Sequence, residues 1–308
     1  MVESHSLKSG IKGRFAPSPT GRMHLGNVFS ALLSWLSAKS QGGKWVLRIE
    51  DIDPQRSRRE YADLIMDDLH WLGLDWDEGP YWQSERGDIY AHYLEVLRDK
   101  NLTYPCYCTR ADILATQAPH ESDGRVVYKG TCRNLPPGSH SGPAAVRVKV
   151  PPVGEGIVRF VDGHYGEHAI DLATHCGDFI VRRKDGAWAY QLAVVVDDAL
   201  MGINEVVRGR DLLLSSPQQI YLARELGFVP PHFVHIPLLC NRAGQRLSKR
   251  DRSLDMSSLR QRYIPGEVIG MLASAAHLQP TPSPVSAREL LDVFSWQRIG
   301  VDDIVMDV

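Results

Sequence analysis

The sequence lacks the features that would place it outside the ordinary globular proteins. It has no excess of positive charge, with 35 Lys and Arg against 37 Asp and Glu, which excludes a protein that coats nucleic acid non-specifically. Residues 1–10 are polar, and no later stretch reaches the length of an apolar membrane span. We therefore expect a cytoplasmic monomer that makes no membrane contact.

Cysteine is also scarce, with five residues among 308. An odd number of thiols without a secretory signal predicts free or metal-bound cysteines rather than disulfides. Repeats and low-complexity tracts are absent, while 43% hydrophobic and 23% charged residues are typical of a chain that buries a core. The length suffices for one large domain with an insert or for two modest domains.

The first hundred residues alternate between strand and helix patterns. A strand at 11–15 precedes a turn with two prolines, and a helix at 27–38 follows with Asn27 as its N-cap. A second strand at 44–49 precedes an amphipathic helix at 61–72. This alternation predicts an α/β fold with a parallel sheet.

The middle of the chain has a different pattern, with short β-rich pieces and a Pro-Pro-Gly break, and we interpret it as an insertion. An unbroken apolar run at 191–196 predicts a strand covered on both faces, and residues 216–226 predict a helix. We therefore predict a first half of the α/β domain at 11–102 and an insertion at 103–185. The second half of the domain follows at 186–245, and a loop with a short helical C-terminal region at 246–308.

Two polar segments carry residue types suited to a nucleotide. His24-Leu25-Gly26-Asn27 lies between a strand and a helix, where the helix N-terminus attracts anions and Gly26 lets a phosphate approach the backbone. Arg246-Leu247-Ser248-Lys249-Arg250 is a cationic loop that can neutralise charge on a phosphoryl group during its transfer. Each motif alone is also explained by a capping histidine or by a solvated basic loop.

Together with further segments, these motifs resemble the glutamyl-tRNA synthetases, which are class I aminoacyl-tRNA synthetases. The further matching segments recur in order along the chain, as Arg14-Phe15-Ala16-Pro17-Ser18-Pro19-Thr20-Gly21, Leu47-Arg48-Ile49-Glu50-Asp51-Ile52-Asp53, Gln83-Ser84-Glu85-Arg86 and Val207-Arg208-Gly209. The resemblance implies a Rossmann-like, doubly wound parallel sheet. The second loop has Arg246, Leu247 and Arg250 where the family consensus has Lys, Met and Ser. Because Arg246 keeps the charge and Leu247 the apolar packing, we expect ATP binding to survive.

The resemblance also implies roles for individual residues. The two carboxylates of glutamate need cations, for which Arg14 and Arg208 are candidates, and its ammonium needs an acceptor such as Glu50. The implied glutamate-binding residues are Arg14, Phe15, Ala16, Pro17, Ser18, Glu50, Tyr190 and Arg208. The implied ATP-binding residues are His24, Gly26, Asn27 and Lys249. His24 and Lys249 are the expected catalytic residues, and magnesium accompanies the triphosphate.

Three thiols in the insertion, those of Cys106, Cys108 and Cys132, are candidate zinc ligands, and a tetrahedral site needs one more. The fourth ligand has three candidates, Tyr128, His120 and His140. Three cysteines buried as small apolar residues are the alternative. Similarity to short paralogues of the family favours Tyr128, since some carry Cys-x-Cys with Tyr-x-x-x-Cys as a structural zinc site. The remaining two cysteines are interpreted as structural residues, Cys176 and Cys240.

The chain ends at residue 308, soon after the second loop, whereas glutamyl-tRNA synthetases continue into a long helical anticodon-binding region. In this respect it resembles the glutamyl-Q tRNA(Asp) synthetases, paralogues that transfer activated glutamate to the queuosine base in the anticodon of tRNA(Asp). The expected partners are L-glutamate, ATP and a tRNA that carries queuosine. A conventional synthetase that charges a tRNA 3′ end stays open as the alternative. An inactive RNA-binding paralogue is disfavoured because His24, Gly26 and Lys249 are present.

Overall fold

The computed structural model describes residues 10–109, 111–112, 127–136, 138–247 and 254–306. Its strands are β1 (Lys12–Phe15), β2 (Lys44–Ile49), β3 (Glu78–Trp82), β4 (Thr103–Cys106), β5 (Ala145–Val148), β6 (Ile157–Asp162), β7 (Gly166–Asp171), β8 (Phe179–Arg182), β9 (Glu205–Gly209), β10 (His232–Ile236), β11 (Leu239–Cys240) and β12 (Ile304–Val305). Its α-helices are α1 (Leu25–Ser40), α2 (Arg59–Trp71), α3 (Gly87–Asp99), α4 (Leu172–His175), α5 (Tyr190–Leu200), α6 (Ser216–Glu225), α7 (Met256–Arg262) and α8 (Pro265–Ala275). Short 3-10 helices span Gln83–Arg86, Arg210–Ser215, Glu289–Asp292 and Trp296–Arg298.

Parallel strand pairs form the centre of the α/β domain. β2 pairs in parallel with β1 and with β3, and β9 pairs in parallel with β10. The two groups lie side by side at β1 and β9, where the amide of Asn204 donates to the carbonyl of Lys12 at 3.0 Å. The predicted α/β fold with a parallel sheet is confirmed.

Helices cover both faces of these strands, as in a doubly wound sheet. Trp45 of β2 packs into a core with α1, α2, α7 and α8, whereas its neighbour Val46 packs into another with α3, α5 and α6. Parallel strands covered in this way are normally apolar throughout. Arg14, Arg48 and Arg208 depart from that rule, and the alternation of side chains places all three on the face of Val46. Charge in such a position calls for a functional explanation.

Two predictions about helices are wrong. Residues 191–196 form part of helix α5 rather than a strand, because a short apolar run buried on all sides has no periodicity that separates the two. Helix α1 begins at Leu25 with His24 as its N-cap, not Asn27. Asn27 lies at the third helical position, where its side-chain oxygen accepts from the amide of His24 at 3.1 Å. The two residues thus form a reciprocal capping box.

Antiparallel strands occupy the chain between the two parallel groups. β5 pairs with β4 and with β8, and β6 and β7 form a hairpin. These strands lie within the predicted insertion, whose boundaries stay a prediction. The hairpin tip reaches β10, where the amide of Gly163 donates to the carbonyl of Phe233 at 2.9 Å. An added Cβ at Gly163 would lie 2.7 Å from His232 Cε1 and 2.8 Å from Val234 Cγ2, so any larger residue would force these side chains to shift.

The described C-terminal residues return to the face covered by α1. Met256 and Leu259 of α7 and Val268 and Leu272 of α8 are buried in the core that contains α1 and α2. β12 adds a short parallel partner to β11. None of the described helices combines the length and the hydropathy that a membrane span needs.

Candidate active site

A cavity of about 490 Å³ opens at the carboxyl ends of β1, β2, β9 and β10. It lies beside the junction of β1 and β9, the kind of position where open α/β sheets bind ligands. Its lining brings together eleven of the predicted glutamate- and ATP-binding residues, Arg14, Phe15, Ala16, Pro17, Ser18, His24, Gly26, Asn27, Glu50, Tyr190 and Arg208. The twelfth, Lys249, lies outside the described residues.

Arg208 is a buried cation with neutral partners only. The residue is 5% exposed, and its guanidinium donates to Ser216 Oγ at 2.7 Å, Gln219 Oε1 at 2.8 Å and His235 Nε2 at 3.2 Å. No carboxylate among the described residues forms an ion pair with it. Burial, and then repulsion from Arg14, lower the pKa of Arg208. Because an unpaired buried charge is unfavourable, this position suits a ligand that brings a carboxylate.

Glu50 and Arg14 meet around the fully buried Arg48. Arg48 donates from Nη1 to Asp198 Oδ1 at 2.7 Å and from Nη2 to Glu50 Oε1 at 3.2 Å. Arg14 Nε lies 3.5 Å from the same Asp198 oxygen and has no hydrogen-bond partner. Burial raises the pKa of Glu50, although Arg48 and Arg14 oppose this. The second carboxylate oxygen of Glu50 receives no hydrogen bond from the described chain and is available to an ammonium group.

Asp197 anchors this ion network. Its fully buried carboxylate accepts from Arg86 Nε at 2.6 Å and from Gln83 Nε2 and Tyr90 Oη at 2.8 Å, which joins α5 to α3 and the preceding 3-10 helix. The residues that support the site have no role predicted from the sequence; they are Arg48, Asp162, Asp197, Asp198 and His235. The available signal was charge inside apolar segments, as in Val-Val-Val-Asp-Asp of α5.

The predicted nucleotide-binding loops are tied to one another near the cavity. His24 forms a β-bridge with Asp255, which follows the second loop. Within that loop, Leu247 lines the cavity, is 1% exposed and donates its amide to the carbonyl of Leu239 at 2.9 Å. The expected apolar packing of Leu247 is therefore confirmed. The described residues that flank 248–253 therefore contact β11, through Leu247, and the N-cap of α1, through Asp255.

A second cluster, in the insertion, contains three thiols and a phenol. The sulfur atoms of Cys106, Cys108 and Cys132 lie within 4.8 Å of one another, and those of Cys108 and Cys132 are 3.5 Å apart. Tyr128 Oη lies 3.4 Å from Cys106 Sγ and 3.5 Å from Cys108 Sγ. It also accepts from the backbone amide of Cys132 at 2.9 Å. The structure thus assembles the four predicted metal ligands around one point.

Among the described residues, the other candidate for the fourth ligand, His140, does not join this cluster. His140 stacks on Tyr107 with 5.1 Å between ring centroids, and His120 lies outside the described residues. The guanidinium of Arg147 lies 3.8 Å from the centroid of the Tyr128 ring. The two cysteines interpreted as structural residues also lie outside the cluster, Cys176 and Cys240.

Comparison with known proteins decides the family. The family model described as tRNA synthetases class I (E and Q), catalytic domain, matches residues 10–269. The chain is 45% identical to Glutamyl-Q tRNA(Asp) synthetase of Nitratidesulfovibrio vulgaris, over 96% of this chain and 95% of that protein. It is 47% identical to the protein of that name from Deinococcus radiodurans, over 92% and 96%. The chain belongs to the glutamyl-Q tRNA(Asp) synthetase family of class I tRNA synthetases.

Two solved structures of glutamate-tRNA synthetases are similar to this glutamyl-Q tRNA(Asp) synthetase family member. A glutamate tRNA ligase from Elizabethkingia meningosepticum, solved in complex with its amino acid, matches with a TM-score of 0.82 and 28% identity, over 97% of this chain and 67% of that one. Glutamate-tRNA synthetase from Elizabethkingia anophelis matches with a TM-score of 0.83, 28% identity and 97% and 68% coverage. The class I synthetase catalytic domain implied by the sequence resemblance is confirmed.

Proposed function

We propose that the protein activates L-glutamate with ATP and transfers it to the queuosine base in the anticodon of tRNA(Asp). The observation that carries the proposal is the cavity lined by two buried guanidiniums, Arg14 and Arg208, and by the buried carboxylate of Glu50. Glutamate has two carboxylates and one ammonium, so its charges complement these three groups. Relatives at 45% and 47% identity that carry the queuosine enzyme's name support the choice of acceptor.

In the activation step, the α-carboxylate of glutamate attacks the α-phosphorus of ATP and pyrophosphate leaves. Such a step needs positioning and charge stabilisation more than covalent help from the protein. We assign the charge stabilisation to His24 and Lys249, and contact with ATP at the N-terminus of α1 to Gly26 and Asn27. In the transfer step, a hydroxyl of the queuosine diol attacks the activated carbonyl carbon, and AMP leaves.

The acceptor is tested with labelled glutamate, ATP and two preparations of unfractionated tRNA. One preparation comes from a normal host and the other from a host that cannot make queuosine. Label should enter only the first. Equal labelling of both would refute queuosine as the acceptor and would favour a conventional synthetase that charges a tRNA 3′ end.

The activation step is tested separately by glutamate-dependent exchange of pyrophosphate into ATP. Because the cavity contains the predicted glutamate-binding residues without any contribution from RNA, the exchange should proceed in the absence of tRNA. Strict dependence on tRNA would contradict a preformed site.

We further propose that Cys106, Cys108, Tyr128 and Cys132 hold a structural zinc ion. Around tetrahedral zinc, with Zn–S of about 2.3 Å and Zn–O of about 2.0 Å, sulfur atoms lie about 3.8 Å apart and oxygen lies about 3.5 Å from sulfur. The 3.5 Å between the sulfurs of Cys108 and Cys132, and the 3.4 and 3.5 Å from Tyr128 Oη to the sulfurs of Cys106 and Cys108, fit this size. The ion would link Cys106, at the end of β4, to the segment that contains Tyr128 and Cys132.

Metal content tests the zinc proposal. The substitution Cys106→Ser should remove most of the zinc measured by elemental analysis of the purified protein, because it deletes one of four ligands. Cys240→Ser is the matched control, since that thiol is also buried and lies outside the cluster. Unchanged zinc in Cys106→Ser, or equal loss in both variants, would refute the assignment.

A further inference from the structure

A buried histidine lies behind Arg208, on the side away from the cavity. His235 is fully buried and is absent from the cavity lining. Its Nδ1 lies 2.6 Å from Asp162 Oδ2, and its Nε2 lies 3.2 Å from Arg208 Nε. A guanidinium has only donors, so Nε2 has to accept and the ring proton has to be on Nδ1, donated to Asp162. The contacts on its two sides therefore select one neutral tautomer of His235.

We propose that Asp162 and His235 act as positioning residues that orient the guanidinium of Arg208 towards a carboxylate of glutamate. The inference rests on the proposed function, because it takes Arg208 as a glutamate ligand. Asp162 fixes the proton on one ring nitrogen, and the lone pair of the other receives Arg208 Nε. Ser216 and Gln219 hold the two terminal nitrogens, so the guanidinium plane is fixed from three directions.

Asp162 is built to stay ionised in this position. Its Oδ1 accepts the backbone amides of His164 at 3.0 Å, Tyr165 at 2.9 Å and His235 at 3.1 Å. Burial disfavours its charge, but the hydrogen bonds from the His235 ring and from these amides lower the pKa of Asp162 to about 2. Burial also lowers the pKa of His235, and the nearby Arg208 adds to this, which keeps the ring neutral.

Asp162, His235 and Arg208 form a relay of contacts that links the β6–β7 hairpin to the ligand cavity. Asp162 is the last residue of β6. Because the next residue, Gly163, lies close to β10, the carboxylate of Asp162 reaches His235. A segment of the predicted insertion thereby controls a residue of the glutamate site. Neither Asp162 nor His235 lines the cavity, so both act only through Arg208.

The substitution Asp162→Asn tests the relay. The asparagine oxygen should take the position of Oδ1, where three backbone amides converge, and its NH₂ should then face His235 Nδ1. The ring proton would move to Nε2, where it opposes the N–H of Arg208. Loss of a hydrogen bond to a charged group predicts a rise of about ten- to a hundredfold in the KM for glutamate in pyrophosphate exchange. The KM for ATP should change less than about threefold.

A matched pair at His235 covers the case in which Asp162→Asn fails to fold. His235→Asn leaves no acceptor where Nε2 was, whereas the longer side chain of His235→Gln places its amide oxygen there. The first variant should raise the KM for glutamate as Asp162→Asn does, and the second should restore it at least in part. Equal glutamate KM values in these two variants, or a KM for ATP that rises as much as that for glutamate, would overturn the relay.

NMR of the ring nitrogens separates failure of the relay from failure of the proposed function. The His235 signals, identified by their loss in His235→Gln, should show Nδ1 protonated in the wild type and Nε2 protonated in Asp162→Asn. A wild-type ring protonated on Nε2 would overturn the relay whatever the activity. A wild-type protein with the expected tautomer but without glutamate-dependent exchange would overturn the proposed function, and with it the role of the relay in glutamate binding.

Discussion

Replacing Glu50 by glutamine removes one negative charge from the cavity while keeping the shape of the side chain. One carboxylate oxygen of Glu50 accepts from Arg48 at 3.2 Å, and the other receives no hydrogen bond from the described residues. We propose that the second oxygen binds the ammonium of glutamate. In Glu50→Gln, an uncharged amide would meet that ammonium instead.

The structure predicts opposite effects on substrate use and on stability. Removing one partner of a buried charge pair costs about 3–5 kcal/mol. At about 1.4 kcal/mol for each factor of ten, kcat/KM for glutamate should fall by about two to three and a half orders of magnitude. Arg48 keeps Asp198 at 2.7 Å and Asp197 at 3.8 Å. Burial raises the pKa of Glu50, so its charge is unfavourable in the folded state and the free energy of unfolding at neutral pH should not fall.

Two measurements decide this prediction, pyrophosphate exchange with varied glutamate and urea unfolding at neutral pH. Glu78→Gln is the control, because that carboxylate pairs with Lys12 and Lys44 at β3 and does not line the cavity. The reasoning is refuted if Glu50→Gln keeps kcat/KM for glutamate within about threefold of the wild type. Parallel loss of activity and stability would also count against it, since that is the result for a carboxylate with only a structural role.

The same residue predicts a dependence on pH. Because burial raises the pKa of Glu50 above 4.5, acidification should protonate it, and weaken glutamate binding, at a higher pH than for an exposed carboxyl group. Glutamate titrations at a series of pH values should show this acid limb in the wild type, whereas Glu50→Gln should bind glutamate weakly throughout and lack the limb. An identical limb in both proteins would assign it to another group.

Three further predictions concern stability, each measured by urea unfolding. The buried His235, which faces Asp162, Arg208 and His168, has a pKa below 6.5, so the unfolded chain binds the proton first as pH falls. Just below pH 6.5 the wild type should lose up to about 1.4 kcal/mol per pH unit more than His235→Asn, and equal slopes would contradict a neutral ring. Asp197→Leu strands three donors in the buried ion network and should lower the free energy of unfolding by about 3–5 kcal/mol; a loss below about 1 kcal/mol would mean that the network contributes little. Leu32→Ala empties a fully buried position of α1 and should lose about 2–5 kcal/mol while the KM for glutamate stays unchanged, so a shifted KM would show that the core reaches the site.

The positions of several strands and helices were predictable because secondary structure depends largely on neighbouring residues in the sequence. The strand at 44–49 and the helix near 216–226 follow from the spacing of apolar residues, and the structure places them within one residue of those bounds. The metal site of Tyr128 and Cys132 was implied by the resemblance to short paralogues of the family, and in the structure the backbone amide of Cys132 donates to Tyr128 Oη at 2.9 Å. The run at 191–196 was predicted as a strand because burial on all sides removes the periodicity that distinguishes helices from strands.

The sequence by itself determined the alternation of elements, the segments that identify the family, and the residue types that surround the cavity. Only the tertiary structure decided which of the charged residues are paired. Arg48 meets its carboxylates, while Arg208 is buried without one and is oriented through His235 by Asp162. These partners come from separate segments, and the free energy of a buried charge depends on what surrounds it in space, which no local pattern records.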